Sequence, residues 1–311
     1  MLVIGLDVGT TGTKACVVDN LGNTLGSGYR EYALKSEGGR VTQSAPDWWD
    51  AAVFAIRTAT KDIDTKEIAA ISLSTQAASM LCADRDGDAK SEVITWMDTR
   101  ASLEAEELSS AIGKESIYRK SGWLPTPVLD SAKILWIKKN LPELFATTDY
   151  FISTLEYMNM KLCGRCVIDP TNAAMRQMFN IETGEWDKEI LDYIGIDESR
   201  LPEVLPIGAE VASLTPAAAE ALGVEREAVT EAIKDLISRR RLVAEKTDET
   251  RLIYNKESYD DEKYVAEKLA LLRRGSIQLS FSDIEAFIRK EEASNGIKYA
   301  DEQKKAIFEA L

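Results

Sequence analysis

A turn rich in glycine and threonine lies near the start of the sequence, between two short apolar segments. It contains Gly9, Thr10, Thr11 and Gly12. Glycines let backbone N–H groups approach an anion closely, and threonine hydroxyls add further donors. The turn is therefore suited to bind a phosphate group. An ordinary hairpin with a Gly/Thr turn would have the same local sequence, so the segment alone leaves both interpretations open.

Two charged residues flank this turn. Asp7 ends the first apolar segment and Lys14 lies just after the turn. A carboxylate can hold a hydrated Mg²⁺ ion, and a lysine ammonium meets a phosphate as a point charge. We therefore expect Mg²⁺ at Asp7 and a phosphate near Lys14.

A second candidate for chemistry is the pair Cys163 and Cys166, which are separated by two residues. A zinc site needs two further ligands, and the chain contains no histidine. The chain has four cysteines, too few and too scattered for a disulfide framework. We expect neither a metal nor a redox role for this pair.

The overall composition limits the possible partners. The 311 residues carry a formal net charge of −14, which disfavours nucleic acid as a partner of the whole chain because phosphate neutralisation needs a basic surface. No apolar run approaches the length of a membrane span, and the N-terminus lacks the pattern of a signal peptide. We expect a cytoplasmic protein that has no membrane partner.

The elements that must position the turn are the two apolar segments on either side of it. They predict two short strands that form a hairpin, and residues 19–22 predict a further turn that leads to a third strand. Other motifs follow in a fixed order along the first 223 residues. They are Gln43-Ser44-Ala45-Pro46-Asp47-Trp48-Trp49, Ile68-Ala69-Ala70-Ile71-Ser72-Leu73-Ser74-Thr75-Gln76, Trp96-Met97-Asp98-Thr99-Arg100, Lys133-Ile134-Leu135-Trp136-Ile137, Pro142-Glu143-Leu144-Phe145 and Asp169-Pro170-Thr171-Asn172-Ala173.

With the hairpin, these motifs resemble the N-terminal lobe of the FGGY family of carbohydrate kinases, over residues 1 to about 223. The regions of Trp48 and Trp136 look nearest to xylulose kinases. The resemblance implies an α/β fold of the actin-like ATPase (ribonuclease H-like) class, with a mixed sheet flanked by helices. It also implies ATP and Mg²⁺ as cofactors and transfer of the γ-phosphoryl group to a sugar hydroxyl.

The resemblance assigns residues to two parts of a site. The phosphates would face Gly9, Thr10, Thr11, Gly12 and Lys14, with Mg²⁺ on Asp7. The substrate would contact the loop that begins with Gln76, Ala77 and Ala78, together with Trp96, Asp98 and Arg100. A structural ion pair between Asp98 and Arg100 is equally compatible with the sequence.

The sequence of the substrate loop does not indicate which sugar is the substrate. Xylulose kinases usually have Gln-Met-His-Gly in the first substrate loop and glycerol kinases have Gln-Arg-Glu, whereas this chain has Gln76-Ala77-Ala78-Ser79. A ketopentose is nevertheless the substrate we expect first, because the regions of Trp48 and Trp136 look nearest to xylulose kinases.

The composition changes near residue 223. Charged residues make up 41% of residues 224–311 and 24% of the preceding part, and every proline, tryptophan and cysteine precedes residue 224. We expect a domain boundary there. Residues 224–311 resemble the segment ahead of the motor core in RecD-like superfamily 1 helicases. They predict a small, mainly helical, winged-helix-like unit with strands at 241–245 and 252–254.

The kinase resemblance ends before the segment that carries the family's general base, an aspartate. We therefore expect the 311 residues alone to be an incomplete kinase, with a sugar as substrate and a chain supplying the second lobe as a possible partner. Two alternatives stay open at this point: a non-catalytic fusion or truncated product, and a DNA-associated helicase fragment.

Overall fold

The computed structural model describes residues 2–224, 242–246, 251–255, 263–264 and 289. The chain divides into two compact units, Met1–Tyr254 and Asn255–Leu311. Every element discussed below belongs to the first unit, except that the last residue of the final strand, Asn255, begins the second. Among the described residues, no helix combines the length and the apolar character needed to cross a membrane.

The described strands are β1 Leu2–Val8, β2 Gly12–Asp19, β3 Thr24–Glu31, β4 Lys35–Glu37, β5 Arg40–Gln43, β6 Ile68–Thr75, β7 Met80–Ala83, β8 Val93–Ile94, β9 Tyr150–Ser153, β10 Val167–Ile168, β11 Phe179–Asn180, β12 Glu185–Trp186, β13 Glu203–Val204, β14 Leu242–Lys246 and β15 Arg251–Asn255. The described α-helices are α1 Ala45–Thr60, α2 Ser102–Leu108, α3 Lys114–Ser121, α4 Asp130–Asn140, α5 Pro142–Thr147, α6 Thr154–Cys163, α7 Pro170–Met175, α8 Lys188–Ile194 and α9 Pro216–Leu222. A π-helical turn, Ser109–Gly113, joins α2 to α3.

The first sheet has the strand order β3-β2-β1-β6. Strands β1, β2 and β3 are antiparallel neighbours, and β6 pairs with β1 in the parallel sense. The predicted mixed sheet is therefore confirmed, as is the predicted hairpin. A second sheet, in the order β4-β5-β8-β7-β9, contains antiparallel pairs.

One face of the first sheet is covered by helix α1. Trp48 of this helix is fully buried, and its ring meets that of Tyr157 of α6 edge to face at 5.9 Å. The alternate residues Leu2, Ile4, Leu6 and Val8 of β1 lie in the same hydrophobic core. Because side chains alternate across a strand, the other residues of β1 lie on the opposite, open face of the sheet.

The predicted domain 224–311 is described only in part. Strands β14 and β15 pair in a two-stranded sheet and confirm the two strands predicted there. The predicted amphipathic helix at 229–237 and the helicase-like segment at 296–307 lie outside the described residues. The boundary near 223 and the winged-helix assignment stay predictions.

Candidate functional site

Asp7 and Lys14 face each other across the β1–β2 hairpin. The register places them directly opposite, and both side chains are exposed on the open face of the sheet. Within the described part of the chain, neither side chain has a hydrogen bond or an ion pair. A carboxylate and an ammonium group are thus available to a ligand on this face.

The hairpin turn, residues 9–12, is held in one conformation by Tyr32. The backbone N–H of Tyr32 donates to the carbonyl of Thr11 at 3.3 Å, and its hydroxyl donates to the carbonyl of Gly9. Burial raises the pKa of Tyr32 to about 12, so the hydroxyl keeps its proton at neutral pH. Within the turn, the N–H of Gly9 donates to the carbonyl of Gly12 at 3.0 Å. Sequence reasoning missed Tyr32 because its contacts with the turn span more than 20 residues of chain.

Strand β6 brings the next predicted site residues to the same edge of the sheet. Its parallel register sets Ser74 opposite Asp7, and the N–H of Gln76 donates to the carbonyl of Val8 at 2.8 Å. The β6–β7 loop, residues 76–79, therefore starts beside the hairpin turn.

Lys133 of α4 is hydrogen-bonded to the backbone of this loop. Ala78 has a φ of 51°, in the left-handed region that residues with a Cβ rarely adopt. The Lys133 Nζ donates to the carbonyl of Ala78 at 2.6 Å and to that of Ile94 at 3.3 Å. One buried ammonium group thus ties the β6–β7 loop to strand β8, the element that precedes Trp96.

Trp96 reaches the hairpin turn directly. Its side chain is 45% exposed, and its indole Nε1 donates to the hydroxyl of Thr10 at 3.1 Å. The structure therefore brings the predicted phosphate residues together with two of the predicted substrate positions, Gln76 and Trp96.

Asp98 and Arg100 form a bidentate ion pair. The Arg100 Nε and Nη2 donate to the two carboxylate oxygens of Asp98 at 2.9 and 2.7 Å. The fully buried carboxylate also accepts the N–H groups of Arg100 and Val41. Burial alone would raise the pKa of Asp98, but the hydrogen bonds from Arg100 and Val41 outweigh it and hold the pKa below its usual value. Of the two roles that the sequence left open, this geometry favours the structural ion pair.

The pair Cys163 and Cys166 consists of two free thiols. Burial raises the pKa of both, that of Cys166 to about 12, so both thiols stay protonated at neutral pH. In the described ranges, no three potential ligands among His, Cys, Asp and Glu come together to hold a metal ion.

The open hairpin still fits Mg²⁺ in its usual protein setting. Mg²⁺ commonly keeps several waters and binds through one or two carboxylates together with the phosphates of a nucleotide. Asp7 supplies one exposed carboxylate on the face where Lys14 and the hairpin turn would meet those phosphates.

Comparison with known proteins gives a consistent family match. Residues 2–237 match the model of the FGGY family of carbohydrate kinases, N-terminal domain. A glycerol kinase from Thermococcus gammatolerans is 32% identical over 215 residues, which cover 65% of this chain and 42% of that protein. The crystal structure of a gluconate kinase from Lactobacillus acidophilus matches at a TM-score of 0.69 and 30% identity, over 73% of this chain and 46% of the other.

The crystal structure of a ligand-bound xylulose kinase from Lactobacillus acidophilus matches with the same TM-score, identity and coverage. These structural relatives confirm the actin-like ATPase fold that the motifs implied. The chain spans less than half the length of each of these three relatives.

Proposed function

Because the chain belongs to the FGGY family of carbohydrate kinases through that family's N-terminal domain, we propose that it forms the phosphate-holding and sugar-facing half of an ATP-dependent kinase. The reaction would transfer the γ-phosphoryl group of ATP to a hydroxyl of a small sugar or polyol. The observation that carries the proposal is the exposed Asp7–Lys14 pair beside a hairpin turn that is hydrogen-bonded to Trp96.

The residues on the open face would divide the binding of Mg·ATP among them. Asp7 would hold Mg²⁺ through its carboxylate, and Mg²⁺ when bound neutralises charge on the phosphates. Lys14 and the N–H and hydroxyl groups of the hairpin turn would bind phosphate oxygens. Positioning and charge neutralisation provide most of the catalysis in phosphoryl transfer.

The β6–β7 loop and Trp96 would face the sugar. Gln76 has an amide that can donate to one hydroxyl and accept from another. Ala77 and Ala78 add no polar side-chain group, so specificity would depend on backbone groups, Gln76 and the half-exposed Trp96 ring. Asp98 and Arg100 would contribute by fixing the chain around Trp96.

A ketopentose is the first substrate to test, because the motifs around Trp48 and Trp136 look nearest to xylulose kinases. The names of the relatives add glycerol and gluconate to the panel. Turnover would also need the part of the active site that the remaining length of the relatives supplies, in the same polypeptide or in another chain.

Isothermal titration of the 311-residue chain with Mg·ATP, D-xylulose, D-ribulose, glycerol and gluconate tests this proposal. We expect saturable Mg·ATP binding with a Kd in the millimolar range, and binding of at least one sugar or polyol. Lys14→Ala should weaken Mg·ATP binding about two- to fivefold, the effect of losing one exposed charge interaction.

Lys61→Ala is the matched control, because Lys61 is also an exposed lysine but lies at the end of α1 and pairs with Asp62. It should leave Mg·ATP binding unchanged. Absence of saturable Mg·ATP binding, or an equal effect of the two substitutions, would contradict the proposed function.

A further inference from the structure

Two hydrogen-bonded paths connect Trp96 with Thr10 of the hairpin turn. The short path is the bond from the indole Nε1 of Trp96 to the hydroxyl oxygen of Thr10. The longer path begins at the backbone N–H of Trp96 and passes through Ser79, Gln76 and Gln43. Together the two paths form a closed ring through both halves of the proposed site.

The two bonds of Gln43 in the longer path are short, and the two bonds of Ser79 are long. The N–H of Trp96 donates to the Ser79 Oγ at 3.3 Å, and that hydroxyl donates to the Gln76 Oε1 at 3.3 Å. The Gln76 Nε2 donates to the Gln43 Oε1 at 2.8 Å. The Gln43 Nε2 donates to the carbonyl of Thr10 at 2.6 Å.

Gln43 is the residue that closes this path. It is 1% exposed and bonds to the hairpin turn with one end of its amide and to the β6–β7 loop with the other. The opposite amide orientation would set two donors against each other at Gln76 and two acceptors at Thr10. The orientation found is therefore the one that satisfies both partners.

The ring also determines which hydrogen-bond donors of Thr10 and Gln76 remain available to a ligand. A hydroxyl has one proton to donate. Since the Thr10 Oγ1 accepts from Trp96, its own proton is left for an outside acceptor such as a phosphate oxygen. Gln76 likewise uses one of its two amide N–H bonds within the ring and keeps the other for a ligand.

We propose that Gln43 is a positioning residue that couples the hairpin turn to the β6–β7 loop, so that Mg·ATP and sugar strengthen each other's binding. Ordering of the turn by phosphate would order the loop through the amide of Gln43, and ordering of the loop by sugar would act in reverse, as reciprocity requires. This inference rests on the proposed function, because it takes the turn and the loop as the two ligand sites.

The experiment measures the coupling factor, defined as the Kd of Mg·ATP without sugar divided by its Kd at saturating sugar. The sugar is D-xylulose, or glycerol or gluconate if that is the one that binds. We expect a coupling factor of about 5 or more for the wild-type chain. Gln43→Leu should bring it close to 1, because leucine fills the site without either hydrogen bond.

Gln177→Leu is the matched control. Gln177 is also 1% exposed and also bridges two partners, accepting from the Ser131 hydroxyl at 2.7 Å and donating to the carbonyl of Trp123 at 3.2 Å. It bonds to neither the hairpin turn nor the β6–β7 loop, so Gln177→Leu should keep the wild-type coupling factor. Gln43→Met removes the same two hydrogen bonds with an unbranched side chain of nearly the shape of glutamine, and it should lower the factor even if Gln43→Leu fails to fold.

The outcomes separate this inference from the proposed function. A wild-type chain that binds both ligands with a coupling factor of 1 overturns the inference and leaves the proposed function standing. Retention of the wild-type factor in a folded Gln43→Leu or Gln43→Met overturns it as well. A wild-type chain that binds neither ligand contradicts the proposed function, and the inference fails with it.

Discussion

Asp7 reaches the open face of the sheet because of its register in β1. The residues on either side of it, Leu6 and Val8, are buried in the core, so Asp7 must face the other way. A shift of the pairing by one residue would bury the carboxylate and expose the leucine. The position of this one charge is therefore fixed by the apolar residues that flank it.

Lys133 is the residue with the least ordinary environment near the proposed site. It is fully buried, and burial lowers its pKa to about 8. The charges that act on it are those of Asp130, Asp98, Arg100 and Arg176, and Asp130 and Asp98 oppose the effect of burial. With a pKa of about 8 the lysine is still mostly charged at neutral pH, and its ammonium group donates to two backbone carbonyls.

This environment predicts a dependence of stability on pH. Between about pH 8 and 10.5 the unfolded chain holds a proton on Lys133 that the folded chain has released. The free energy of unfolding should therefore rise with pH in that window, by up to about 3 kcal/mol from this group. Urea unfolding at pH 7.5 and pH 10 should show this rise in the wild type, and Lys133→Met should lack it.

Because other groups titrate in the same range, the decisive quantity is the difference between the two proteins. An identical change of stability with pH in wild type and Lys133→Met would contradict the assignment. Lys90→Met is a suitable control, since Lys90 is an exposed lysine that bonds to the carbonyl of Thr147.

At the scale of elements, strand β3 and helix α1 approach so closely that two positions of β3 exclude a side chain. A Cβ at Gly26 would lie 2.0 Å from the carbonyl oxygen of Ala59, and one at Gly28 would lie 2.1 Å from that of Ala55. The contact is with backbone, which cannot move aside as a flexible side chain would. The spacing of these two glycines thus sets the depth at which α1 lies against the sheet.

We therefore expect Gly28→Ala to lower the free energy of unfolding by about 1–3 kcal/mol or more, the usual cost of an overpacked core. Gly5→Ala on strand β1 of the same sheet is the matched control, because an added Cβ there meets no atom within 4 Å. Urea unfolding followed by near-ultraviolet circular dichroism measures both. Equal stabilities of the two variants would show that α1 and β3 are not in close contact.

The sequence predicts correctly those elements whose residues lie close together in the chain. The β1–β2 hairpin, for example, depends on alternation and turn residues within a few positions of each other. Gln43 and Lys133 were visible only as parts of motifs, because their partners lie 33 to 55 residues away in the chain. The sequence left two roles open for Asp98, since only the folded chain shows which groups surround a carboxylate.

At the scale of the whole molecule, the described residues contain one coherent half of the proposed site. The hairpin turn, the β6–β7 loop and Trp96 meet at one edge of the sheet, and hydrogen bonds join all three. The relatives are more than twice as long as the matched region, which covers 42% of the glycerol kinase and 46% of the gluconate kinase. Measurements of ligand binding therefore test the proposed site of this chain more directly than measurements of turnover.

The central claim is that Asp7 holds the Mg²⁺ of a nucleotide bound at the hairpin turn. The most direct measurement is ATP affinity by phosphorus NMR, with Mg²⁺ present and with Mg²⁺ removed by EDTA, in wild type, Asp7→Asn and Asp19→Asn. Asp19 lies at the far end of β2 and accepts hydrogen bonds from local backbone N–H groups, which asparagine can also accept. We predict that Mg²⁺ tightens ATP binding equally in wild type and Asp19→Asn and has no effect in a folded Asp7→Asn. An undiminished effect of Mg²⁺ in Asp7→Asn would contradict the claim.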